Sequence, residues 1–135
     1  MTWKVKVKGM KELQKELDNV AKEMKQELKI GTEEAAENVA DIVRSNAPGS
    51  LSEAVDTKSL PERSNYPQTT MVGLSYNKAP HQHLVEYGTG PRYTNDGAYR
   101  GQMPPNPFFR KSIDGARDMI KDTIQNNARE PIDRR

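Results

Sequence analysis

The sequence predicts an α+β subunit, and three observations carry that expectation. Apolar and basic residues alternate at the start of the chain, with Trp3, Val5 and Val7 against Lys4, Lys6 and Lys8. Apolar residues then recur at steps of three and four over two stretches, residues 10–43 and 109–124, with the strand-like segment MVGLSY between them. No strand–helix unit repeats, as a parallel α/β sheet would require. The expected architecture is a single domain over residues 1–135: an N-terminal strand, a long or broken amphipathic helix, a small antiparallel sheet and a C-terminal helix.

Residues 2–8 read as a strand with one apolar face and one Lys face, ending at Gly9. A Lys row of this kind keeps an edge strand soluble more often than it binds phosphate. From Met10 the period changes: Met10, Leu13, Leu17, Val20, Met24 and Leu28 form a narrow helical stripe, continued by Ala35, Ala36, Val39, Ile42 and Val43. Gly31-Thr32, followed by Glu33 and Glu34, looks like a helix restart with Thr as cap. The alternative is one continuous helix of about 36 residues with Gly31 as a weak point. Asn46-Ala47-Pro48-Gly49 ends the helical stretch in either case.

Residues 49–70 have no sustained period and read as a long, mobile loop with room for a hairpin. Val72, Leu74 and Tyr76 alternate as in a strand. The segment APHQHLVEYGTG suits a helical turn through His81, Leu84 and Val85, or a strand through His83, Val85 and Tyr87. Residues 88–106 form a second long loop rich in glycine and proline. Asn106-Pro107 is a cap followed by a first-turn proline, opening a last helix with Phe109, Ile113, Ala116, Ile120 and Ile124 on one face and a polar tail over 129–135.

Composition narrows the function. Hydrophobic residues make up 33% of the chain, about 40% with glycine, and charged residues 30%; soluble domains usually hold roughly 45–50% apolar residues. So thin a core fits a partly disordered chain or a subunit that becomes ordered against neighbours. The 21 Lys and Arg offset 19 Asp and Glu to leave +2, so bulk charge does not announce a nucleic-acid binder. The absence of cysteine removes disulfides, thiolate catalysis and Cys-based metal sites. With no apolar run near the ~20 residues of a membrane span and no signal-like N-terminus, the chain reads as soluble and made in the cytoplasm.

Candidate chemistry is sparse. Gly88-Thr89-Gly90-Pro91 lacks the Lys-Ser/Thr pair and the following helix of a phosphate cradle, and no serine sits in a Gly-x-Ser-x-Gly turn. His81, His83 and Glu86 could offer a metal two imidazoles and a carboxylate; the preferred reading is two partly exposed histidines beside an interface. The expectation is therefore no catalysis, no cofactor and no metal. Arg92, Tyr93, Tyr99 and Arg100 mix basic and aromatic side chains in a glycine-rich loop, as protein interfaces and single-strand-binding surfaces both do. At near-zero net charge the protein interface is favoured. The alternative is a small nucleic-acid-binding protein using Lys4, Lys6, Lys8, Arg92 and Arg100.

Several segments together resemble the tail-completion, or head–tail joining, proteins of long-tailed double-stranded DNA phages. The matching positions are Gly9; Leu13 and Leu17; Ala47 and Pro48; His83, Val85, Glu86, Tyr87, Gly88 and Thr89; and Pro107, Phe108 and Phe109. The loop from Pro91 to Pro104 is longer and more charged than in that family, and the Gly49-Ser50-Leu51 junction shorter. The resemblance implies an α+β subunit that assembles with its own copies, usually as a six-fold ring, at the head-proximal end of the tail tube in the virion. Its partners would be the tube protein, the head connector or stopper, and DNA passing without sequence specificity; no membrane is involved. On this reading Glu86-Tyr87-Gly88-Thr89 is architecture. Val85 and Tyr87 would anchor the core, Gly88 make a sharp exit, and Glu86 meet a basic group on the chain or a neighbour. Phe108 and Phe109 would lock the last helix, and the loops 49–70 and 91–104 would touch partner rings or the channel.

Overall fold

In the computed structural model, which describes residues 2–63 and 68–135, one uninterrupted helix, α1 (Met10–Asn46), runs for 37 residues. At 1.5 Å per residue it is roughly 55 Å long. Of the two readings open for this stretch, the continuous helix holds. Thr32 does not cap a second helix: its hydroxyl donates back to the Leu28 carbonyl at 2.7 Å, a bond made inside a running helix. Gly31 is buried and marks a close approach, for a Cβ placed on it would lie 2.9 Å from the Cβ of Asn127 in the last helix.

After α1 come a 3₁₀ turn (Gly49–Ala54), strands β1 (Val55–Leu60) and β2 (Thr69–Leu74), the short helix α2 (Gln82–Tyr87), strands β3 (Arg92–Tyr93) and β4 (Tyr99–Gly101), and helix α3 (Phe108–Asp133). β1 and β2 pair antiparallel, with Val55 opposite Leu74 and Leu60 opposite Thr69. β3 and β4 form a second small hairpin. α1 and α3 run antiparallel. Asn46 bonds Ser112 at 2.9 Å, Asn127 bonds Glu34 at 3.2 Å, and Arg135 bonds Glu23 at 2.8 Å.

The core is made by the second half of α1. Val39, Ala40 and Val43 meet Leu51, Ala54 and Val55 on one side, and Ala79, Val85, Phe108 and Ala116 on the other. The β1–β2 sheet lies along the same part of α1, where Thr57 bonds Glu37 at 2.6 Å, Ser59 bonds Glu33 at 3.1 Å, and Arg44 donates to the Val55 carbonyl at 3.1 Å. The first half of the helix leaves Met10, Leu13 and Leu17 more than half exposed, at and beyond the last turn of α3. No described helix is long and apolar enough to cross a membrane.

The structure corrects four expectations. Residues 2–8 are not a strand; among the described residues they have no strand partner, Trp3 being 86% and Val5 87% exposed. Alternation states what a strand would bury, but a strand forms only where another supplies its hydrogen bonds. Residues 49–70 are not mainly loop, since the 3₁₀ turn and the β1–β2 hairpin occupy most of them; the part of that expected loop at 64–67 lies outside the described residues. Tyr76 falls past the end of β2 and is exposed. The tail expected at 129–135 is helical through Asp133, across a fully buried Pro131. Burial of the proline ring offsets the proline's lost N–H, and over the same turn Arg134 pairs with Glu27 and Arg135 with Glu16 and Glu23.

Gly31→Ala tests the helix pairing. Alanine gains about 1 kcal/mol of helix propensity, but it meets Asn127 Cβ, and overpacking of a tight contact costs about 1–3 kcal/mol. Urea denaturation of the variant is expected to show a net loss of roughly 1 kcal/mol, whereas an exposed helical glycine such as Gly115 changed to alanine gains stability.

Candidate functional site

The chain from α2 to α3 is held by a small set of polar contacts. α3 begins without a cap of its own. The expected cap, Asn106, lies one residue too early, and Pro107 takes the capping position with no side-chain acceptor to offer. Glu86, on α2, supplies the missing acceptor. Its Oε2 accepts the Phe109 N–H and its Oε1 the Arg110 N–H, both at 3.1 Å. A carboxylate on the second and third amides of a helix gains charge-assisted hydrogen bonds and a favourable place at the positive end of the macrodipole. Within the chain Glu86 thus meets backbone amides, and among the described residues no basic side chain pairs with it. Nothing in the sequence signalled this, because Asn106 looked like a sufficient cap.

Around that clamp the neighbours divide their tasks. Val85 is buried in the core and its carbonyl accepts the Asn106 N–H at 2.9 Å. Tyr87 does not anchor the core as expected but is 80% exposed. On a helix advancing about 100° per residue, Val85 directed to the core and Glu86 to α3 leave position 87 facing outward. Gly88 makes the sharp exit that was expected, at φ 74° and ψ 179°. That backbone region is essentially open to glycine alone. A Cβ there would sit 2.7 Å from the Pro105 nitrogen and 2.8 Å from the Met103 carbonyl oxygen. Thr89 pairs with Met103 twice, donating its N–H at 2.9 Å and accepting the Met103 N–H on Oγ1 at 3.0 Å. Phe108 is buried in the core and Phe109 half-buried beside it.

Between Thr89 and Met103 the chain leaves the body as the β3–β4 hairpin, so the expected loop at 88–106 carries regular structure. Arg92 pairs with Gly101 and Tyr93 with Tyr99. The two tyrosine rings stand 5.6 Å apart at 59°, exposed, in a tilted aromatic pair. Arg92 and Arg100 are exposed, and among the described residues no acid pairs with either. Lys4, Lys6 and Lys8 are far from them. They precede the N-terminal end of α1, whereas the hairpin leaves the junction beside the helix's C-terminal end, roughly 50 Å away along the helix. The structure therefore does not gather these five basic residues into one surface.

His81 immediately precedes α2 and its carbonyl accepts the Leu84 N–H at 3.0 Å; both His81 and His83 are exposed. The Glu86 carboxylate is turned to the α3 amides. Among the described residues no group of three or more His, Asp or Glu is placed to hold a metal ion. An open cleft of about 240 Å³ runs beside the junction, lined by Gly73, Leu74, Glu86, Tyr87, Phe108 and Phe109 among others.

Glu86→Ala is expected to cost about 2 kcal/mol in urea unfolding, the sum of a lost cap and two charge-assisted bonds, and Glu86→Gln, which keeps a carbonyl acceptor, about half that. Gly88→Val is expected to lose more than about 3 kcal/mol from backbone strain and overlap together. A Gly88→Val protein with wild-type melting behaviour would show that the exit can adopt another backbone path.

No curated protein and no solved structure matches the chain significantly. A family model does match, over residues 11–88, from the second residue of α1 through the Gly88 exit. The matched stretch takes in all of the described β1–β2 hairpin, Glu86 and the exit glycine, and it exceeds half of the 135 residues. The chain belongs to the HK97-gp10-like family of bacteriophage proteins, described as "Bacteriophage HK97-gp10, putative tail-component".

Proposed function

We propose that this phage tail component forms a ring, a hexamer of identical subunits, at the head-proximal end of the tail tube. There it completes or terminates the tube and joins it to the head connector around the DNA channel. Family membership supplies the role of a tail component of the virion. The observation that carries the finer reading is the subunit's surface. Its accessible area is 10544 Å², whereas a compact monomer of 15.2 kDa exposes roughly 7,100 Å². Trp3, Val5, Met10, Leu13 and Leu17, on the N-terminal segment and the first half of α1, are each more than half exposed. Closed head-to-tail contacts with further copies would cover such surfaces, and a cyclic operator does so without leaving free ends.

In this reading Glu86, Gly88, Thr89 and Phe109 set where the β3–β4 hairpin leaves the body. Arg92, Tyr93, Tyr99 and Arg100 then present exposed positive charge and an aromatic pair to a partner ring or to the DNA backbone in the channel. The separation of Lys4, Lys6 and Lys8 from the hairpin arginines weighs against a dedicated nucleic-acid-binding protein.

Electron microscopy of a lysate from a phage lacking the gene tests this. Filled heads beside unattached tails are expected, and overlong tubes among them would assign the termination step as well. Joined, infectious particles of normal tail length would overturn the proposal.

A further inference from the structure

Residues 2–8 carry the alternation of a strand yet have no strand partner among the described residues, and the reach of the chain excludes one edge of their own sheet. The open edge of β2 and the cleft beside it offer what the segment lacks. Among the described residues β2 has β1 as its only strand neighbour. Its side chains Val72 and Leu74 are partly buried against the core, and the cleft at the Leu74 end adds Tyr87, Phe108 and Phe109. At about 240 Å³ the cleft falls below the roughly 300–1,000 Å³ of small-molecule pockets and has the scale of one large side chain.

The segment cannot reach this place within its own subunit. Arg44 of α1 bonds the carbonyl of Val55, the register partner of Leu74, so the cleft lies level with the last turns of α1. Thirty-five residues of helix separate Gly9 from Arg44, about 52 Å along the axis. Residues 2–8, fully extended, span at most ~25 Å. Even Met71, opposite Lys58 and level with Glu33 to Glu37, is about 36 Å or more from Gly9 along the helix. Because α1 does not break at Gly31, the segment is carried away from its own sheet.

We propose that residues 3–7 of one subunit add as an antiparallel third strand to the β2 edge of a second copy of this chain, with Trp3 seated in the cleft. The proposal rests on the ring reading and names one of its contacts. Val5 then lies beside Val72 and Val7 beside Thr70, continuing the inward face. Trp3 falls at Leu74, where Gln82 donates to the Leu74 carbonyl at 3.4 Å and closes the edge; the strand ends there and the indole enters the cleft. On the outward face Lys6 covers exposed Met71. Lys4 crosses Gly73, which leaves open space, toward Asp56 opposite it.

The other edge, on β1, is the competing site. There the Lys row would meet Glu33 and Glu37, but Trp3 and the valines would stay in water. Burial of three apolar side chains outweighs ion pairs between exposed groups, which selects β2. Backbone pairing gives affinity and alternate side chains give the register, as in strand addition generally.

The chain has no cysteine, so paired cysteines report the contact directly. A Lys6→Cys subunit is mixed with a Met71→Cys subunit carrying a mass tag, and oxidised in solution and in assembled tails. A disulfide between the two different subunits is expected, and Trp3→Ala, at an exposed position that leaves monomer melting unchanged, should reduce its yield by about tenfold or more. Oligomers of wild-type size that persist in Trp3→Ala, with Met71→Cys linking no better than Lys121→Cys on α3, would overturn this contact and leave the ring standing. Linkage of Lys6→Cys to another tail protein instead would overturn the second copy as occupant. A chain that is monomeric at all concentrations and unlinked in tails would overturn the ring itself, and this contact with it.

Discussion

The rest of the structure depends on α1 remaining one helix. Its residues 31–46 supply the surface on which α3, the β1–β2 hairpin and the 3₁₀ turn all lie, and the buried core contains no side chain from its first two turns. Continuity needs α3 as much as α3 needs α1. Gly31 would be a weak point in an isolated helix, but here the missing side chain lets Asn127 approach, and the gap that would favour a break is filled by the partner helix. The same rigidity has a cost in surface, because the first half of the helix and the segment before it are held away from anything they might cover.

At the other end, Glu86 solves a local problem created by proline. Pro107 sets the backbone for a helix to begin but can offer its amides no acceptor, and the acid that serves them lies 21 positions upstream of Pro107, on a two-turn helix. That contact ties the chain before the β3–β4 hairpin to the chain after it. With the Thr89–Met103 pair and the Gly88 turn, it fixes the base of the hairpin. The strands above that base carry the tyrosine pair and two exposed arginines that no acid pairs with among the described residues.

A core of mostly alanine and valine, with Leu51 and Phe108 as its largest buried members, is small for the entropy that ordering 135 residues must overcome. The polar helix pairing helps but is mostly exposed to solvent, where ion pairs contribute little each. The exposed Trp3, Val5, Leu13 and Leu17 are the apolar area that the monomer leaves unused, and association with further copies is the physical route by which it could contribute.

By itself the sequence determined what depends on local chemistry. The periods of the two long helices follow from three- and four-residue spacing, their end at Ala47-Pro48 and start after Pro107 from proline's fixed φ, and the Gly88 exit from a conformation other residues avoid. The alternation of Val72 and Leu74 pointed to β2, although the strand starts at Thr69, two residues before the segment MVGLSY, and ends before Tyr76. Tertiary structure decided whatever needed a distant partner. Whether Gly31 breaks a helix depends on Asn127, whether Pro131 ends one depends on the packing that buries its ring, and whether Glu86 seeks a cation or an amide depends on where α3 begins. Residues 2–8 show the distinction most plainly. Their pattern specifies a strand completely, yet a strand's hydrogen bonds lie across its edge, and a 37-residue helix holds that edge beyond the reach of its own sheet.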